Sequence, residues 1–336
     1  MKSCIAAGVL LTLLLFGGNW AAYEEKSVLP EKEPVSAQVQ KDEPSAVSAD
    51  SQVLLKVWDG ETVREMSVEE YLPGVVRGEM PATFEQEALK AQAVAERTYI
   101  YYKVATGGKA SHPDADVCMS PACCNAYTSE KKAAEKWGDK AEEYEKRIQT
   151  AVKETDGQVM LYGGEPIFAA FHSSSAGVTA NSGDVWVKDL PYLASVESPE
   201  GEGSVPNYYS VKTVGAAEFK EIFTAEYPAA SFSTDPKDWI GKITLNDSDR
   251  VETIVIGGVS VEGTEVRSLY GLRSACFTVE VEKDVVTFRV SGYGHGVGMS
   301  QYGANELAKQ GKTWREILAW YYTGVSIETY SPELLK

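Results

Sequence analysis

The stretch GEMPATFEQEALKAQAVAERTYIYYKV (78–104) decides how the fold is built around Glu79. Thr83 and Gln86 have the spacing of a capping box, which predicts that a helix follows Thr83. Apolar or small side chains at positions 84, 88, 91, 95 and 98–99 repeat with the period of a helix. The small residues of this helix would let other elements pack closely against it: Ala88, Ala91, Ala93 and Ala95.

The rest of the chain predicts separate groups of helices and strands. A charge-rich helix is expected at about 138–155, and Gly163-Gly164 between two apolar runs predicts a hairpin. Strand-like runs follow at 242–245, 252–261, 276–284 and 285–290, and two helices are expected near 300–310 and 313–321. Because helices and antiparallel-looking strands are segregated rather than alternating, we predict an α+β fold. In it, a helical segment around Glu79 packs on antiparallel strands.

The N-terminal region predicts export. CIAAGVLLTLLLFGGNW (4–20) has the length of a short membrane span or a long signal-peptide core. We expect residues 1–22 to form a membrane anchor or signal segment, and favour an anchor because Asn19 or Trp20 would occupy a cleavage position that requires a small residue. Residues 23–50 have the composition of a disordered linker, and 51–336 form the exported domain. The net charge of −17 argues against nucleic acid as a partner.

A metal site is predicted in HPDADVCMSPACC (112–124). His112, Cys118, Cys123 and Cys124 are ligand types that suit tetrahedral zinc. Four protein ligands leave no open coordination position, so the zinc would be structural. The alternative is a disulfide from Cys118 to Cys123 or Cys124.

Two polar segments contain the remaining histidines. In FHSSSAG (171–177), His172 and Ser173 could line a polar cleft, or the segment could simply be a strand entering a turn. In SGYGHGVGMSQYGA (291–304), five glycines surround His295 and indicate a functional or tightly packed loop.

Glu79 is the candidate acid of VVRGEMP (75–81). Burial against Met80 and Phe84 would raise the pKa of its carboxyl, so that it could donate a proton at neutral pH. The positive end of the following helix would oppose that rise. Considered alone, Glu79 could equally be an ordinary loop glutamate.

Five stretches together resemble the stage II sporulation protein D family of lytic transglycosylases over about 51–330. They are GEMPATFEQEALKAQAVAERTY (78–99), FHSSSAG (171–177), PYLASV (191–196), EVRSLYGLRS (265–274) and SGYGHGVGMSQYGA (291–304). The resemblance implies that Glu79 is catalytic, with Arg97, Thr179 and Tyr192 in the substrate cleft. It also implies zinc at the His112 and cysteine set, where Cys123 replaces a histidine of some relatives.

The same resemblance implies a membrane-anchored enzyme on the extracytoplasmic face of a sporulating Gram-positive cell. Its substrate would be peptidoglycan glycan strands, cut to 1,6-anhydro ends during engulfment after a partner amidase has removed the stem peptides. One acid–base glutamate is enough for that reaction, whereas a glycosidase that uses water usually needs two carboxylates. The alternatives are a zinc-dependent wall amidase or peptidase, and a non-catalytic wall-binding activator of an amidase.

Overall fold

Residues 47–107, 112 and 114–329 are described in a computed structural model. The predicted anchor (1–22) and residues 23–46 of the predicted linker lie outside them. Residues 47–50 belong to the fold rather than to the linker, since the Asp156 carboxylate accepts hydrogen bonds from the backbone N–H groups of Ala49 and Asp50. No helix in the described part of the chain has the length and apolar character needed to cross a bilayer.

Eight α-helices and fourteen strands make up the described fold. The helices are α1 (Val68–Glu79), α2 (Gln86–Ala105), α3 (Glu130–Trp137), α4 (Ala141–Lys153), α5 (Ala216–Glu226), α6 (Gly263–Tyr270), α7 (Gln301–Lys309) and α8 (Trp314–Tyr321). The strands are β1 (Leu54–Trp58), β2 (Val63–Ser67), β3 (Val117–Cys118), β4 (Gln158–Tyr162), β5 (Glu165–Pro166), β6 (Phe171–His172), β7 (Tyr209–Gly215), β8 (Ile240–Leu245), β9 (Val251–Ile256), β10 (Val259–Glu262), β11 (Phe277–Glu282), β12 (Val285–Ser291), β13 (Met299–Ser300) and β14 (Ser326–Thr329).

The first hydrophobic core surrounds α2. This helix packs against α1, α4, α7, α8 and β4, so it lies at the centre of a helical group. Four of its alanines are fully buried, in keeping with the close packing that the sequence predicted: Ala88, Ala91, Ala93 and Ala95. Small side chains let several helices approach one another closely, and they explain why so many elements meet at α2.

The second hydrophobic core is formed by two antiparallel sheets with α5 and α6. The sheet orders are β10-β9-β8 and β11-β12-β7. Phe219, Phe223 and Phe288 are fully buried between them. Together with the helical core, these sheets confirm the α+β class, although the pairings β1–β3 and β6–β13 are parallel.

Most predicted elements are present, but two boundaries differ. The hairpin is confirmed by β4 and β5, with positive φ at Gly163 and Gly164. The predicted helix at 138–155 begins at Ala141 and is preceded by a separate helix, α3. The capping box at Thr83 was wrong, because α2 begins after Glu85 and has no side-chain cap.

Helix α1 was not predicted, although the sequence contains a signal for it. Ser67 and Glu70 form a capping box in which the Ser67 hydroxyl accepts from the Glu70 N–H and the Glu70 carboxylate accepts from the Ser67 N–H. The strand pattern of 63–67 leads directly into this cap. The consequence is that Glu79 lies at the end of a helix rather than in a loop before one.

Candidate active site

Glu79 is the last residue of α1 and is half-buried. The carbonyl end of a helix carries partial negative charge, which favours the protonated form of a carboxyl. This reverses the expectation from sequence, which placed Glu79 at the positive start of the next helix. Met80 and Phe84, which are close to Glu79 in the sequence, are both buried.

A short extended segment, residues 125–128, lies along α1 and reaches the Glu79 carboxyl. We call it the strap. The Thr128 N–H donates to the Gly74 carbonyl at 2.9 Å, and the Ala126 N–H donates to Glu79 Oε1. A Cβ at Gly78 would lie 2.4 Å from the Ala126 carbonyl oxygen, so only glycine permits this approach. The strap therefore determines what the Glu79 carboxyl can contact.

A second carboxyl, that of Glu96 on α2, lies behind the strap and is fully buried. Its oxygens accept hydrogen bonds from Gln92 Nε2, at 2.8 Å, and from Asn125 Nδ2. Burial raises the pKa of Glu96 well above its usual range, and the negative charge of Glu79 raises it further. The sequence analysis missed Glu96, because on a helix rich in charged residues nothing in the pattern shows which carboxyl is buried.

Burial also raises the pKa of Glu79, while the hydrogen bond from the Ala126 N–H opposes that rise by stabilising the carboxylate. A carboxyl of this kind can retain its proton closer to neutral pH than a solvent-exposed glutamate does. Because Glu79 is half-buried rather than fully buried, it can also contact a substrate. These are the properties of a general acid.

Three of the four predicted zinc ligands lie together. The sulfur atoms of Cys118, Cys123 and Cys124 are within 4.8 Å of one another, and the last two are 3.9 Å apart. Tetrahedral thiolates about 2.3 Å from zinc have sulfurs roughly 3.8 Å apart, so this spacing fits the ion. Cys118 and Cys124 carry free thiols, so neither form of the alternative, a disulfide from Cys118 to Cys123 or to Cys124, is present. His112 is outside the group, and its ring stacks on Trp58 at 4.5 Å.

The two histidine motifs meet. The ring centroids of His172 and His295 are 5.6 Å apart. Burial lowers the pKa of His172 well below its usual range. Burial and the nearby charge of Arg267 lower the pKa of His295 to about 4. Both imidazoles are therefore neutral at neutral pH. Each can offer hydrogen bonds, but neither supplies a positive charge.

The glycine-rich segment packs tightly on the strand that contains His172. Residues 171–172 pair in parallel with residues 299–300. Gly294 has φ 117°, and a Cβ there would lie 2.7 Å from the Cβ of His172. At Gly298, with φ 70°, a Cβ would lie 2.0 Å from the Ala170 carbonyl oxygen. The Ser173 carbonyl accepts from the Tyr302 N–H at 3.1 Å. Close backbone packing thus accounts for these glycines.

Half-buried rings connect the helical core to the histidines. We call Tyr99, Phe168, Trp186 and His295 the aromatic row. Consecutive centroids are 5.8, 5.5 and 5.1 Å apart. Tyr99 interacts electrostatically with Glu96 and with the cysteine group, so one end of the row lies near these groups. Ring faces of this kind suit flat, weakly polar ligand surfaces.

Comparison with known proteins identifies the family. The SpoIID family model, described as Stage II sporulation protein, matches residues 59–162. Stage II sporulation protein D of Bacillus subtilis (strain 168) is 39% identical over 268 residues, covering 80% of this chain and 76% of that protein. The chain belongs to the stage II sporulation protein D family. The Bacillus amyloliquefaciens stage II sporulation protein D is 37% identical over 268 residues, covering 79% and 75%.

A more distant relative of this sporulation family member is named amidase enhancer. That Bacillus subtilis protein is 28% identical over 306 residues, which cover 77% of this chain and 40% of the relative. The residues matched by the family model include Glu79, Glu96 and the three cysteines, but neither His172 nor His295.

The three cleft residues implied by family resemblance lie mostly in the interior. Arg97 is fully buried and binds the Asp50 carboxylate at 2.7 Å. Thr179 is fully buried and exchanges hydrogen bonds with the Val196 backbone. The Tyr192 hydroxyl, largely buried, accepts from the backbone N–H of residue 168 at 3.1 Å. All three side chains therefore make contacts within the fold of this family member.

Glu200 is another buried carboxyl that the sequence analysis missed. One of its oxygens accepts from the Ser175 N–H at 2.6 Å and from the Ser300 hydroxyl. The other accepts from the Ser198 hydroxyl. Ser175 belongs to the motif at 171–177, and Ser300, the N-cap of α7, belongs to the motif at 291–304. Glu200 therefore links these two motifs through hydrogen bonds.

Proposed function

We propose that this family member is a lytic transglycosylase. It cleaves the bond between N-acetylmuramic acid and N-acetylglucosamine in peptide-stripped peptidoglycan glycan strands and leaves 1,6-anhydro ends. The observation that carries the proposal is the contrast between two carboxyls: Glu79 is half-buried with a raised pKa, whereas Glu96, which interacts with it, is fully buried. Glu96 is therefore out of reach of a water at the sugar, so a mechanism with one working carboxyl is favoured.

In the proposed reaction, protonated Glu79 donates its proton to the glycosidic oxygen as the bond from that oxygen to C1 of N-acetylmuramic acid breaks. The resulting carboxylate accepts the proton of the C6 hydroxyl of the same sugar, and O6 forms a bond to C1. No water is consumed, and Glu79 ends protonated as it began. The Ala126 N–H stabilises the carboxylate between these two transfers.

The aromatic row supports a carbohydrate substrate. Its half-buried rings can stack on the apolar faces of sugar rings, and the neutral imidazole of His295 adds a hydrogen-bonding group that carries no charge. An uncharged row of rings also suits N-acetylated sugars better than a highly charged ligand.

We also propose a structural zinc ion at Cys118, Cys123 and Cys124. The thiol spacing fits the ion, and a metal there would fasten the loop that leads directly into the strap. Metal analysis of the purified chain tests this, and less than about 0.2 zinc per chain would remove the ion from the proposal; one tightly bound ion is the expectation for a structural site. The proposed location is the extracytoplasmic face of the membrane in a sporulating cell, with residues 1–22 as the anchor.

A second candidate function is activation of a wall amidase, which the relative named amidase enhancer favours. In that case the chain would bind glycan strands and release no product. A partner amidase is part of the first proposal as well, since it would supply the peptide-free strands.

Mass spectrometry of peptide-free glycan strands incubated with the full chain tests the proposal. We expect anhydro-terminated fragments from the wild type, and at least about a 10²-fold lower yield from Glu79→Gln, which keeps shape but cannot transfer a proton. Reducing ends formed with water would contradict it, and no product from the wild type would favour the activator. An amidase or peptidase would instead release peptides from intact wall, and a chelator would stop it without unfolding the chain.

A further inference from the structure

A closed set of hydrogen bonds surrounds Glu79. Gln301 Nε2 donates to the Glu79 carbonyl at 3.0 Å and lies 3.5 Å from Gln92 Oε1. Gln92 Nε2 donates to one oxygen of Glu96, and Asn125 Nδ2 donates to the other. The residue after Asn125 donates its N–H to the Glu79 carboxyl. The circuit therefore starts and ends at Glu79 and passes through Glu96.

Glu96 is at the fixed part of this circuit. Its side chain is fully buried on α2, the central helix, whereas Asn125 lies on the strap and is half-buried. The strap has no regular helix or strand of its own, so its position depends on individual contacts. Those contacts are the Thr128 N–H to the Gly74 carbonyl and the Tyr127 ring stacked on Tyr71 at one end, and Asn125 to Glu96 at the other.

We infer that Glu96 is a positioning residue for Glu79: its buried carboxyl holds Asn125, and through Asn125 it holds the Ala126 N–H against the Glu79 carboxyl. The inference rests on the proposed role of Glu79 as the acid. It assigns Glu96 no contact with substrate, in keeping with its complete burial.

The surroundings indicate that Glu96 acts as a neutral group. No Lys, Arg or His among the described residues pairs with either carboxyl. The other titratable groups that interact with Glu96 are Tyr71 on α1, Tyr99 on α2 and Tyr322 after α8, and burial raises the pKa of each phenol, so all three stay uncharged. The partners of Glu96 are the side-chain amides of Gln92 and Asn125, whose N–H groups donate to its two oxygens and lower its pKa, but burial has the larger effect and raises it. A protonated Glu96 therefore fits its site.

The decisive measurement is the titration of the Glu79 carboxyl by ¹³C NMR in the full chain, with the resonance assigned by its loss in Glu79→Gln. In Asn125→Ala the strap loses its hold on Glu96, the Ala126 N–H moves away, and the pKa of Glu79 rises on the order of one unit. In Glu96→Gln the pKa of Glu79 stays at its wild-type value, because the amide of residue 96 can still bond to Gln92 and Asn125.

Asn181→Ala is the matched control, because Asn181 Oδ1 accepts from the Ser195 N–H at 2.8 Å outside the strap. It should leave the Glu79 titration unchanged. An unchanged titration in Asn125→Ala would overturn the inference. So would a lower pKa of Glu79 in Glu96→Gln, which would show that Glu96 acts through negative charge. The titration needs no turnover, so a wild type that forms no anhydro product would count against the proposed function alone.

Discussion

Glu96 and Arg97 are neighbours on α2, and both are fully buried, yet only Arg97 has a partner of opposite charge. Arg97 binds Asp50 through two guanidinium nitrogens and also donates to backbone carbonyls at residues 152 and 158. Glu96 has amide partners only and a second carboxyl nearby.

The presence or absence of a partner charge distinguishes the structural site at Arg97 from the candidate functional site at Glu96. At Arg97 the ion pair and the hydrogen bonds satisfy the charge, and the group ties the N-terminal residues of the fold to α2 and β4. At Glu96 the charge is not compensated, so the fold favours the protonated acid. Uncompensated burial of this kind is typical of functional sites, whereas the Arg97 site is typical of a core.

Removing the partner of Arg97 should have the largest effect on stability. Asp50→Ala leaves a buried guanidinium without its counter-ion, and we expect the free energy of unfolding to fall by about 3–5 kcal/mol. Urea denaturation measures this. Glu143→Ala is the control, because the ion pair of Glu143 with Lys140 is exposed, and it should leave stability nearly unchanged. A loss in Asp50→Ala no larger than in the control would contradict the structural role of the ion pair.

Glu96→Gln should have a smaller effect that depends on pH. The pKa of Glu96 is higher in the folded than in the unfolded chain, where 4.5 is usual. Below that value both states bind the proton, and as pH rises only the unfolded state loses it, so the wild type is progressively destabilised. Glutamine does not titrate. The stability of Glu96→Gln relative to the wild type should therefore grow above pH 4.5, by about 1.4 kcal/mol for each pH unit up to the folded pKa.

Urea denaturation at a series of pH values measures that difference. A difference that is constant with pH would mean that Glu96 is ionised in the folded chain. Asn181→Ala serves as the comparison, because it removes no titratable group and its effect on stability should not rise with pH.

A neutral buried contact should have the smallest effect. Tyr192→Phe removes the hydroxyl that accepts from the backbone N–H of residue 168, and we expect a loss of about 1 kcal/mol in the free energy of unfolding. Product formation from glycan strands should be unchanged, because the side chain is used inside the fold. A large loss of activity without loss of stability would contradict this prediction and would support the role in the substrate cleft that family resemblance implies for Tyr192.

The sequence by itself determined the family, the α+β class and the central helix, and it pointed to Glu79 as the candidate acid, because these depend on local patterns: helical period, hairpin glycines and contiguous motifs. Only the tertiary structure decided that Glu79 ends a helix, that Arg97 is satisfied by Asp50, and that Glu96 lies buried behind the strap. The physical reason is that the protonation and accessibility of a side chain depend on which distant residues surround it. Neighbouring positions such as 96 and 97 carry no local mark of that difference.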